Sequence, residues 1–459
     1  MNIKIIEPRD LSSRYDIGSL TPNPGPIVVA TLLHQRGHRV EVISEYITKL
    51  NWNDLGDADF VGISITTYNA QRGFEIARQI NKPIVFGGFH ASLNPQECLK
   101  YGDYVIRGDG HPITRLADFL QNGRSNDIHS IPNLAFKKNG KIFYNQTETK
   151  AIDIIPDFNL VKDYYKSGLS RLLRIPLLVN ASRGCPYNCA FCSIKAIYPD
   201  FKKKDKKTII ADIKSQIKNQ HFLSRFLPKI IWLTDDNFFS DKKWAKEVLL
   251  ELAKLKTNYK FVIQARPEIA YDHELLRLII KAHIGIVYMG LESLNPASLA
   301  LLKKESTLSD ITYAVKKLKN FGLNIHGLFV FGDDEFKKGD GLKIAQFSKQ
   351  HALSGVLVQP LTPYPGTDLF RRMKNEGRIL HEEWQYYNGK VVFKPKNLTA
   401  AELQKEIYDC YRGVYSLSRV TKFVLCGPKG FRLAGLGEAI FRHLEWLKCR
   451  NYINDKLAT

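Results

Sequence analysis

The sequence predicts an α/β protein in which a doubly wound, Rossmann-like domain precedes a partial (β/α)6, TIM-like barrel and a helical C-terminal region. Three observations lead to this prediction. Short apolar segments alternate with amphipathic segments near the N-terminus, six more such pairs follow residue 175, and the pattern after Asn397 is helical. The expected boundaries are 1–140, 141–174 for a connector, 175–396 and 397–459.

The length and composition agree with several folded domains. The chain has 459 residues, more than the ~250–300 that a single core usually holds. Its 44% hydrophobic and 25% charged residues argue against long disorder. No segment approaches the ~20 apolar residues of a spanning helix, and the N-terminus lacks the apolar run of a signal peptide. We therefore expect a cytoplasmic protein.

The first domain is predicted from its alternating segments. Strands are expected at Asn2–Ile6, Arg39–Ile43, Phe60–Ile65, Ile84–Phe86 and Tyr104–Arg107. Helices are expected near Ile27–Arg36, Ala70–Ile80 and Pro95–Lys100. Scattered Asn, Lys, Gly and Pro over residues 122–174 favour an irregular connector.

The barrel prediction rests on six strand and helix pairs, fewer than the eight of a closed barrel. The strands are expected at Leu177–Ala181, Ile230–Thr234, Phe261–Ala265, Ile286–Leu291, Ile325–Phe331 and Val356–Leu361. Chemistry in such folds lies at the carboxyl ends of the strands. The residues that follow each strand are therefore the candidates for a site.

The C-terminal region is predicted to begin with a helix at Thr399, where Thr399-Ala400-Ala401-Glu402 forms a capping box. Its segment 411–459 is basic and aromatic, which is typical either of a peripheral helix on the inner membrane face or of a helix packed on its own protein. The whole chain carries a formal net charge of +21, which attracts nucleic acid, anionic lipid or acidic metabolites without choosing among them. No RRM, KH or OB signature is present, so nucleic acid is not the expected partner.

Three of the seven cysteines lie within eight residues, directly after the first barrel strand. The segment reads Arg183-Gly184-Cys185-Pro186-Tyr187-Asn188-Cys189-Ala190-Phe191-Cys192. Thiolates at this spacing can bind three corners of a cubane iron–sulfur cluster and leave the fourth iron open to a ligand. Zinc or chance spacing is the alternative. Zinc would need a fourth Cys or His at a matching distance, and the other cysteines have no C-x-x-C partner.

This pattern, Cys185-x-x-x-Cys189-x-x-Cys192 with Phe191 before the last cysteine, resembles the signature of the radical S-adenosylmethionine (SAM) superfamily. The resemblance covers about residues 175–395. It implies a [4Fe-4S] cluster at the three cysteines, a SAM contact at Phe191 and a reductant such as flavodoxin or ferredoxin. It also implies cleavage of SAM to a 5′-deoxyadenosyl radical that removes a hydrogen atom from an unreactive position.

Further strand ends resemble SAM contacts of the same family. Asp235 and Asp236 follow the second barrel strand, where the family contacts the methionine ammonium, although its usual Gly-Gly-Glu is absent. Arg266 follows the third strand and is expected to pair with the ligand carboxylate. Glu292 and Ser293 follow the fourth strand and resemble a ribose-contacting motif. A structural ion-pair network is the alternative for each.

A proline-rich segment, Gln359-Pro360-Leu361-Thr362-Pro363-Tyr364-Pro365-Gly366-Thr367, follows the sixth barrel strand. It resembles a turn that many cobalamin-type members of the family place above the site. Tyr364 is the candidate substrate contact. A rigid turn without any contact to a ligand is the alternative.

The first domain resembles the cobalamin-binding domain of a large radical SAM subgroup. The matching residues follow three successive strands, where open parallel sheets bind ligands. They are Ser64, Thr66, Gly87, Gly88, His90, Gly108 and Gly110. Glycines let a flat macrocycle or its nucleotide tail approach the backbone closely. No Asp-x-His-x-x-Gly precedes Ser64, so any cobalamin is expected to bind without a histidine ligand to cobalt. A domain kept only for packing is the alternative.

These resemblances together imply methylation of an unactivated carbon. Methylcobalamin would supply the methyl group to a substrate radical, and a second SAM would remethylate the cobalamin. The alternatives are a radical SAM cyclase or rearrangement enzyme and, from another class, an iron–sulfur electron-transfer or RNA-binding protein. A small-molecule or lipid-like substrate fits these reactions, and the sequence does not name it.

Overall fold

The protein is described by a computed structural model, which covers residues 1–10, 22–123, 127–150, 153–166, 177–220, 229–415 and 457. The chain divides into two compact units. The first comprises Met1–Pro186, Ser193–His221 and Tyr364–Thr367. The second comprises Tyr187–Cys192, Phe222–Pro363 and Asp368–Thr459.

The first unit is built on a seven-stranded sheet. Its strands are β1 (Asn2–Glu7), β2 (Arg39–Ser44), β3 (Phe60–Ser64), β4 (Ile84–Gly87), β5 (Tyr104–Ile106), β6 (Leu134–Lys138) and β7 (Lys141–Tyr144). Their spatial order is β2-β1-β3-β4-β5-β6-β7, and the first five are parallel. An order that reverses between β1 and β3 is that of doubly wound sheets, so the predicted class of this domain is confirmed.

Helices cover both faces of this sheet. On one face, Pro24–Gln35 and Ile113–Gln121 share a core with Val85 of β4. Neighbouring strand residues point to opposite faces, so Phe86 lies on the other side. There its ring contacts Phe74 of helix Ala70–Ala77, with 5.8 Å between the centroids. Further helices among the described residues of this unit are Phe89–Leu93, Pro95–Cys98, Ile194–Ile197 and Lys206–Lys218.

A hairpin extends the sheet where we expected an irregular connector. β6 pairs antiparallel with both β5 and β7. Asn139 and Gly140 form its turn with φ angles of 50° and 76°, the geometry for which Asn-Gly is preferred in two-residue hairpins. The expectation is therefore wrong for residues 134–144. The Asn-Gly pair was a usable signal, but the lysines around it obscured the apolar alternation.

The second sheet confirms the partial barrel. Its strands are β8 (Leu177–Val179), β11 (Ile230–Leu233), β12 (Lys260–Ala265), β13 (Ile284–Glu292), β14 (Asn324–Phe331) and β15 (Gly355–Pro360). They follow one another across the sheet in chain order, and every pairing from β11 to β15 is parallel. A separate antiparallel pair, β9 (Ser182–Arg183) and β10 (Lys202–Lys203), flanks the cysteine loop in sequence.

Helices connect the strands of the second unit and continue beyond them. In the part of this unit that the structure describes, they are Lys242–Ala253, His273–Lys281, Pro296–Leu301, Leu308–Asn320, Asp340–Gln350, Asp368–Asn375 and Ala400–Val414. The last begins at the predicted capping box, where Glu402 N–H donates to Thr399 Oγ1 at 3.1 Å and Thr399 N–H donates to Glu402 Oε2 at 2.9 Å. Beyond residue 415, the predicted basic segment lies outside the described residues, apart from residue 457. Within the described ranges, no helix has both the length and the apolar character needed to cross a bilayer.

Candidate active site

The loop between β9 and β10 carries the three cysteines predicted to bind a cluster. Cys185, Cys189 and Cys192 are half-buried and form no disulfide. Cys192 N–H donates to Cys189 O at 3.1 Å, and Ala190 N–H donates to Leu302 O at 3.2 Å, which anchors this part of the loop. Three partly exposed thiols outside any disulfide are a donor set that fits an iron–sulfur cluster. Among the described residues, no three His, Cys, Asp or Glu side chains are grouped to hold a metal ion, so the ligand set stays a prediction from the spacing.

Gly184, directly before Cys185, is required by the local backbone. Its φ angle is 75°, and a Cβ atom at this position would lie 2.4 Å from the carbonyl oxygen of Asp200. Any other residue would therefore both strain the backbone and collide with a backbone atom. This close contact fixes where the cysteine loop begins.

Arg266, at the end of β12, is already paired. Its guanidinium lies 3.7 Å from the centroid of the Tyr187 ring. Its Nε and Nη2 donate to Glu268 Oε1 at 3.0 and 2.7 Å. Burial alone would lower the pKa of Arg266, but Glu268, together with Tyr187 and Cys189, raises it. The residue predicted to pair with the SAM carboxylate is therefore held by protein groups beside the cysteine loop.

Glu292, at the end of β13, also has an internal partner. Its Oε1 lies 3.1 Å from Lys304 Nζ, and only 10% and 4% of the two side chains are exposed. Its φ angle is 64°, and the pairing of β13 with β14 shifts register between Gly290 and Glu292. A Cβ atom at Gly290 would lie 2.7 Å from Glu292 Oε1, so glycine leaves room for the carboxylate to fold back. A strained residue at such a bulge is typical of functional sites.

Lys304 is a site residue that the sequence analysis missed. Burial alone would lower its pKa, but Glu292 and then Cys189 raise it. Lys304 and Arg266 thus bring two cations near Cys189. A positive charge beside a thiolate-ligated cluster stabilises the negative charge of that cluster. No sequence motif marks Lys304, because it meets Glu292 only through the fold of the β13–β14 connection.

The remaining predicted SAM contacts differ in exposure. Asp235 is fully buried and Asp236 is exposed, so the two carboxylates after β11 face different surroundings. Ser293 is buried, and its Oγ accepts a hydrogen bond from Asn295 N–H at 3.1 Å. Phe191 is half-buried in the cysteine loop. Of this set, Arg266 and Glu292 have electrostatic links to the surroundings of Cys189, Glu292 through Lys304.

The carboxyl edge of β3, β4 and β5 carries the residues predicted for cobalamin. A Cβ atom at Gly87 would have no heavy atom within 4 Å, so the backbone there is open. At Gly88 the φ angle is 92°, and a Cβ atom would lie 2.6 Å from Ile65 O. Ser92, which the sequence analysis missed, joins two strand ends. Its Oγ donates to Gly88 O and accepts from Gly108 N–H, both at 2.8 Å. An open edge lined by glycine fits the flat face of a corrin.

Other predicted cobalamin contacts have structural roles. His90 is fully buried, with Nε2 3.0 Å from Glu97 Oε2 and Nδ1 3.4 Å from Thr67 Oγ1. Both ring nitrogens therefore have protein partners. Gly110 has no room for a side chain, since a Cβ atom there would lie 2.5 Å from Val29 Cγ2. Ser64 and Thr66 are half-buried at the end of β3.

Tyr364 lies in the part of the proline-rich turn that belongs to the first unit. Burial, reinforced by Tyr68, raises the pKa of Tyr364 to about 12. The phenol is therefore protonated at neutral pH. Gly366 fixes the turn, because its φ angle is 78° and a Cβ atom there would lie 2.2 Å from Leu93 O.

Comparison with known protein families identifies one domain of the chain. Residues 179–338 match the model described as the radical SAM superfamily. The chain therefore contains a radical SAM domain. Its first unit has the doubly wound fold that was predicted for this part of the chain. This radical SAM enzyme therefore uses a [4Fe-4S] cluster and SAM as cofactors.

The radical SAM enzyme resembles curated proteins over most of its length. It is 28% identical over 418 residues to bacteriochlorophyllide d C-8(2)-methyltransferase of Chlorobaculum tepidum, covering 87% of each chain. It is 25% identical over 444 residues to the anaerobic magnesium-protoporphyrin IX monomethyl ester cyclase of Rubrivivax gelatinosus, covering 90% of this chain and 77% of that one.

A solved structure shares the fold. The radical SAM methyltransferase TsrM from Kitasatospora setae, with cobalamin and a [4Fe-4S] cluster bound, superposes with a TM-score of 0.67 at 17% identity. The match covers 82% of this chain and 75% of TsrM. At this identity the likeness establishes the fold, which is the predicted α/β architecture of a doubly wound domain with a radical SAM barrel.

Proposed function

We propose that this radical SAM enzyme is a cobalamin-dependent C-methyltransferase that acts on an unactivated carbon of a small molecule. The observation that carries the proposal is the presence, in one chain, of the three-cysteine loop and the open glycine edge at Gly87. Relatives named as methyltransferases, and the fold shared with a cobalamin-bound methyltransferase, support it.

The proposed cluster and SAM site is formed by the cysteine loop and the ends of β11, β12 and β13. Its residues are Cys185, Cys189, Cys192, Phe191, Asp235, Asp236, Arg266, Glu292, Ser293 and Lys304. When bound, the cluster supplies the electron that cleaves SAM, and cobalamin supplies the methyl group. Arg266 and Lys304 keep two cations near Cys189, and Glu292 fixes the position of the Lys304 ammonium.

The proposed cobalamin site is the carboxyl edge of β3, β4 and β5. The proposed lining residues are Ser64, Thr66, Gly87, Gly88 and Gly108. His90 and Gly110 are proposed to stabilise this edge through their packing within the domain. Backbone groups and small hydroxyls can bond to a nucleotide tail, and the open position at Gly87 admits a flat ring system. Since both ring nitrogens of His90 have protein partners, His90 is not proposed as a ligand of cobalt.

Tyr364 is proposed as a substrate contact. A tyrosine phenol is protonated at neutral pH, so it can donate a hydrogen bond to a carbonyl or carboxylate of a small molecule. The proposed partners also include a one-electron reductant such as flavodoxin or ferredoxin. A reducing compartment such as the cytoplasm suits cysteines that form no disulfide. We also propose that segment 411–459 contacts the inner membrane face.

Anaerobic reconstitution with iron, sulfide and hydroxocobalamin tests the proposal. We expect bound corrinoid near one per chain, and 5′-deoxyadenosine after addition of SAM and dithionite. Cys185→Ala is expected to abolish 5′-deoxyadenosine because the cluster loses a ligand, whereas Cys98→Ala, at a buried cysteine in the first unit, should retain it. Formation of 5′-deoxyadenosine without bound corrinoid would remove cobalamin from the proposal.

A radical SAM cyclase is the second candidate, and the 25% identity to a cyclase favours it. A methyltransferase converts part of its SAM to S-adenosylhomocysteine, whereas a cyclase transfers no methyl group. Formation of 5′-deoxyadenosine with bound corrinoid but no S-adenosylhomocysteine would favour the cyclase.

A further inference from the structure

Within the first unit, an ion pair between the buried carboxylate of Asp109 and the half-buried guanidinium of Arg183 joins the loop after β5 to the start of the cysteine loop. Asp109 stands between Gly108 and Gly110, and its side chain is 1% exposed. Arg183 stands two residues before Cys185, and its Nε lies 3.4 Å from Asp109 Oδ1. The pair thus connects the edge proposed for cobalamin with the segment that leads into the first proposed cluster ligand.

Arg183 has further contacts with Tyr198 and Lys202. Its Nη1 donates to Tyr198 OH at 3.0 Å, and its guanidinium lies 5.4 Å from the centroid of the Tyr198 ring. Its backbone pairs with Lys202 in the β9–β10 ladder. Asp109 has a second partner, since Lys150 N–H donates to its Oδ2 at 3.4 Å. These contacts restrict the orientation of both side chains.

Backbone packing joins the same two loops through a third segment. Gly108 has a φ angle of 63°, and a Cβ atom there would lie 3.0 Å from Ile197 O. Gly184 has a φ angle of 75°, and a Cβ atom there would lie 2.4 Å from Asp200 O. Ile197 and Asp200 flank Tyr198, so both loops pack against one short stretch of chain. Because close-packed interiors transmit strain, we expect a displacement of one loop to shift the other.

Removal of the Asp109 carboxylate from water opposes the attraction within this pair, so the pair is weak evidence for a role in stability alone. The position of this pair, between two loops proposed to bind different cofactors, suggests a role in their coupling. An interaction that favours one arrangement of both loops makes each binding event assist the other by the same factor.

We propose that Asp109 and Arg183 are positioning residues that couple the loop after β5 to the start of the cysteine loop, so that cluster assembly and cobalamin binding strengthen each other. This inference rests on the proposed function. It assigns no direct contact with either cofactor to the two side chains. It predicts a measurable dependence of cobalamin affinity on the cluster.

Anaerobic titration with hydroxocobalamin tests the coupling in the full chain. The affinity is measured for protein stripped of iron by a chelator and for protein with a reconstituted cluster. We expect the wild type to bind at least about fivefold tighter with the cluster, a typical coupling factor. In Asp109→Asn and Arg183→Met this ratio should fall to about one. The ratio is informative because a merely structural loss weakens both forms alike.

A control variant in the same unit separates this pair from ion pairs in general. Asp118→Asn removes the partner of Arg36, an exposed pair with 3.6 Å between Nη1 and Oδ2, and should keep the wild-type ratio. A wild-type ratio of one with measurable binding, or a wild-type ratio retained in either test variant, overturns the coupling and leaves the proposed function intact. Absence of hydroxocobalamin binding in both wild-type forms overturns both. If Asp109→Asn does not fold, Arg183→Met decides the question.

Discussion

The side chains near Cys189 are positioned by contacts that no local sequence motif predicts. The Gly290-Leu291-Glu292 segment could be found from the sequence because it ends a strand and resembles a family motif. Its partner Lys304 could not, since the two meet only after the chain passes through helix Pro296–Leu301. Arg266 was found, but its pairing with Glu268 and Tyr187 was not.

The first prediction concerns the buried pair of Glu292 and Lys304. Lys304→Met leaves the Glu292 charge without its partner and should lower the free energy of unfolding by about 3–5 kcal/mol. The double variant Glu292→Gln/Lys304→Met should recover most of that loss, because no uncompensated charge remains. Urea unfolding of the cluster-free chain under anaerobic conditions measures both effects.

Lys254→Met is the matched control for Lys304→Met. Lys254 pairs with Glu251 at 2.7 Å, but 68% and 34% of the two side chains are exposed. Its replacement should cost less than about 1 kcal/mol. A Lys304→Met protein as stable as the control variant would contradict the account of a buried, coupled pair.

The second prediction concerns Gly184. Gly184→Ala introduces a Cβ atom that collides with Asp200 O, so the cysteine loop must move. We expect the iron content after reconstitution to fall well below that of the wild type. Gly37→Ala controls for the strain of a positive φ angle, because Gly37 has a φ of 86° but no heavy atom within 4 Å of a Cβ position. Equal iron contents in the two variants would show that the close contact is not needed for cluster assembly.

Strands and their ends account for most of what the sequence could predict. The five parallel strands of the first sheet and the six barrel strands are short apolar runs, and the structure contains all of them. The β6–β7 hairpin was missed because its strands carry lysines and are partly exposed. Long-range pairs such as Asp109 and Arg183 lie beyond sequence patterns, since they depend on how loops from distant segments meet.

The third prediction concerns the end of β1. Glu7 is buried, and desolvation raises its pKa from 4.5 to about 7, although Ser44 and the backbone of Asn23 bond to it. The folded state therefore holds this proton to a higher pH than the unfolded state does. Stability from this group is fully present below pH 4.5 and is lost as the pH rises to about 7.

Glu7→Gln removes this titration and keeps the size of the side chain. The variant should gain stability relative to the wild type as the pH rises, by up to about 3 kcal/mol near pH 8. Urea unfolding at about pH 5, 6, 7 and 8 follows this difference. A difference that is constant or shrinks with rising pH would contradict the assigned burial of a carboxylate.

The fourth prediction concerns the open end of β4. Gly87→Ala adds a methyl group where the first unit has no neighbouring atom, so folding should be unaffected within about 0.5 kcal/mol. The same methyl group occupies the surface proposed for cobalamin and should weaken hydroxocobalamin binding by about 1–3 kcal/mol. Gly56→Ala, with ordinary 3.6 Å contacts, is the control and should bind as the wild type does. Unchanged affinity in Gly87→Ala would place the ligand elsewhere.

At the scale of the whole molecule, one chain combines a radical SAM barrel with a doubly wound domain. The sequence could predict this combination because the cysteine spacing and the order of strands and helices are both local patterns. It could not predict the substrate, because recognition depends on surfaces assembled from distant segments. The central claim is that the two parts together transfer a methyl group.

Methyl transfer from SAM to the corrinoid tests that claim most directly, because it needs no knowledge of the substrate. The reconstituted enzyme is mixed anaerobically with hydroxocobalamin, a strong reductant and SAM labelled with deuterium in its methyl group. The account predicts S-adenosylhomocysteine together with a deuterated methyl group on the extracted corrinoid, both in amounts close to the bound corrinoid. Formation of 5′-deoxyadenosine with neither of these products would contradict it.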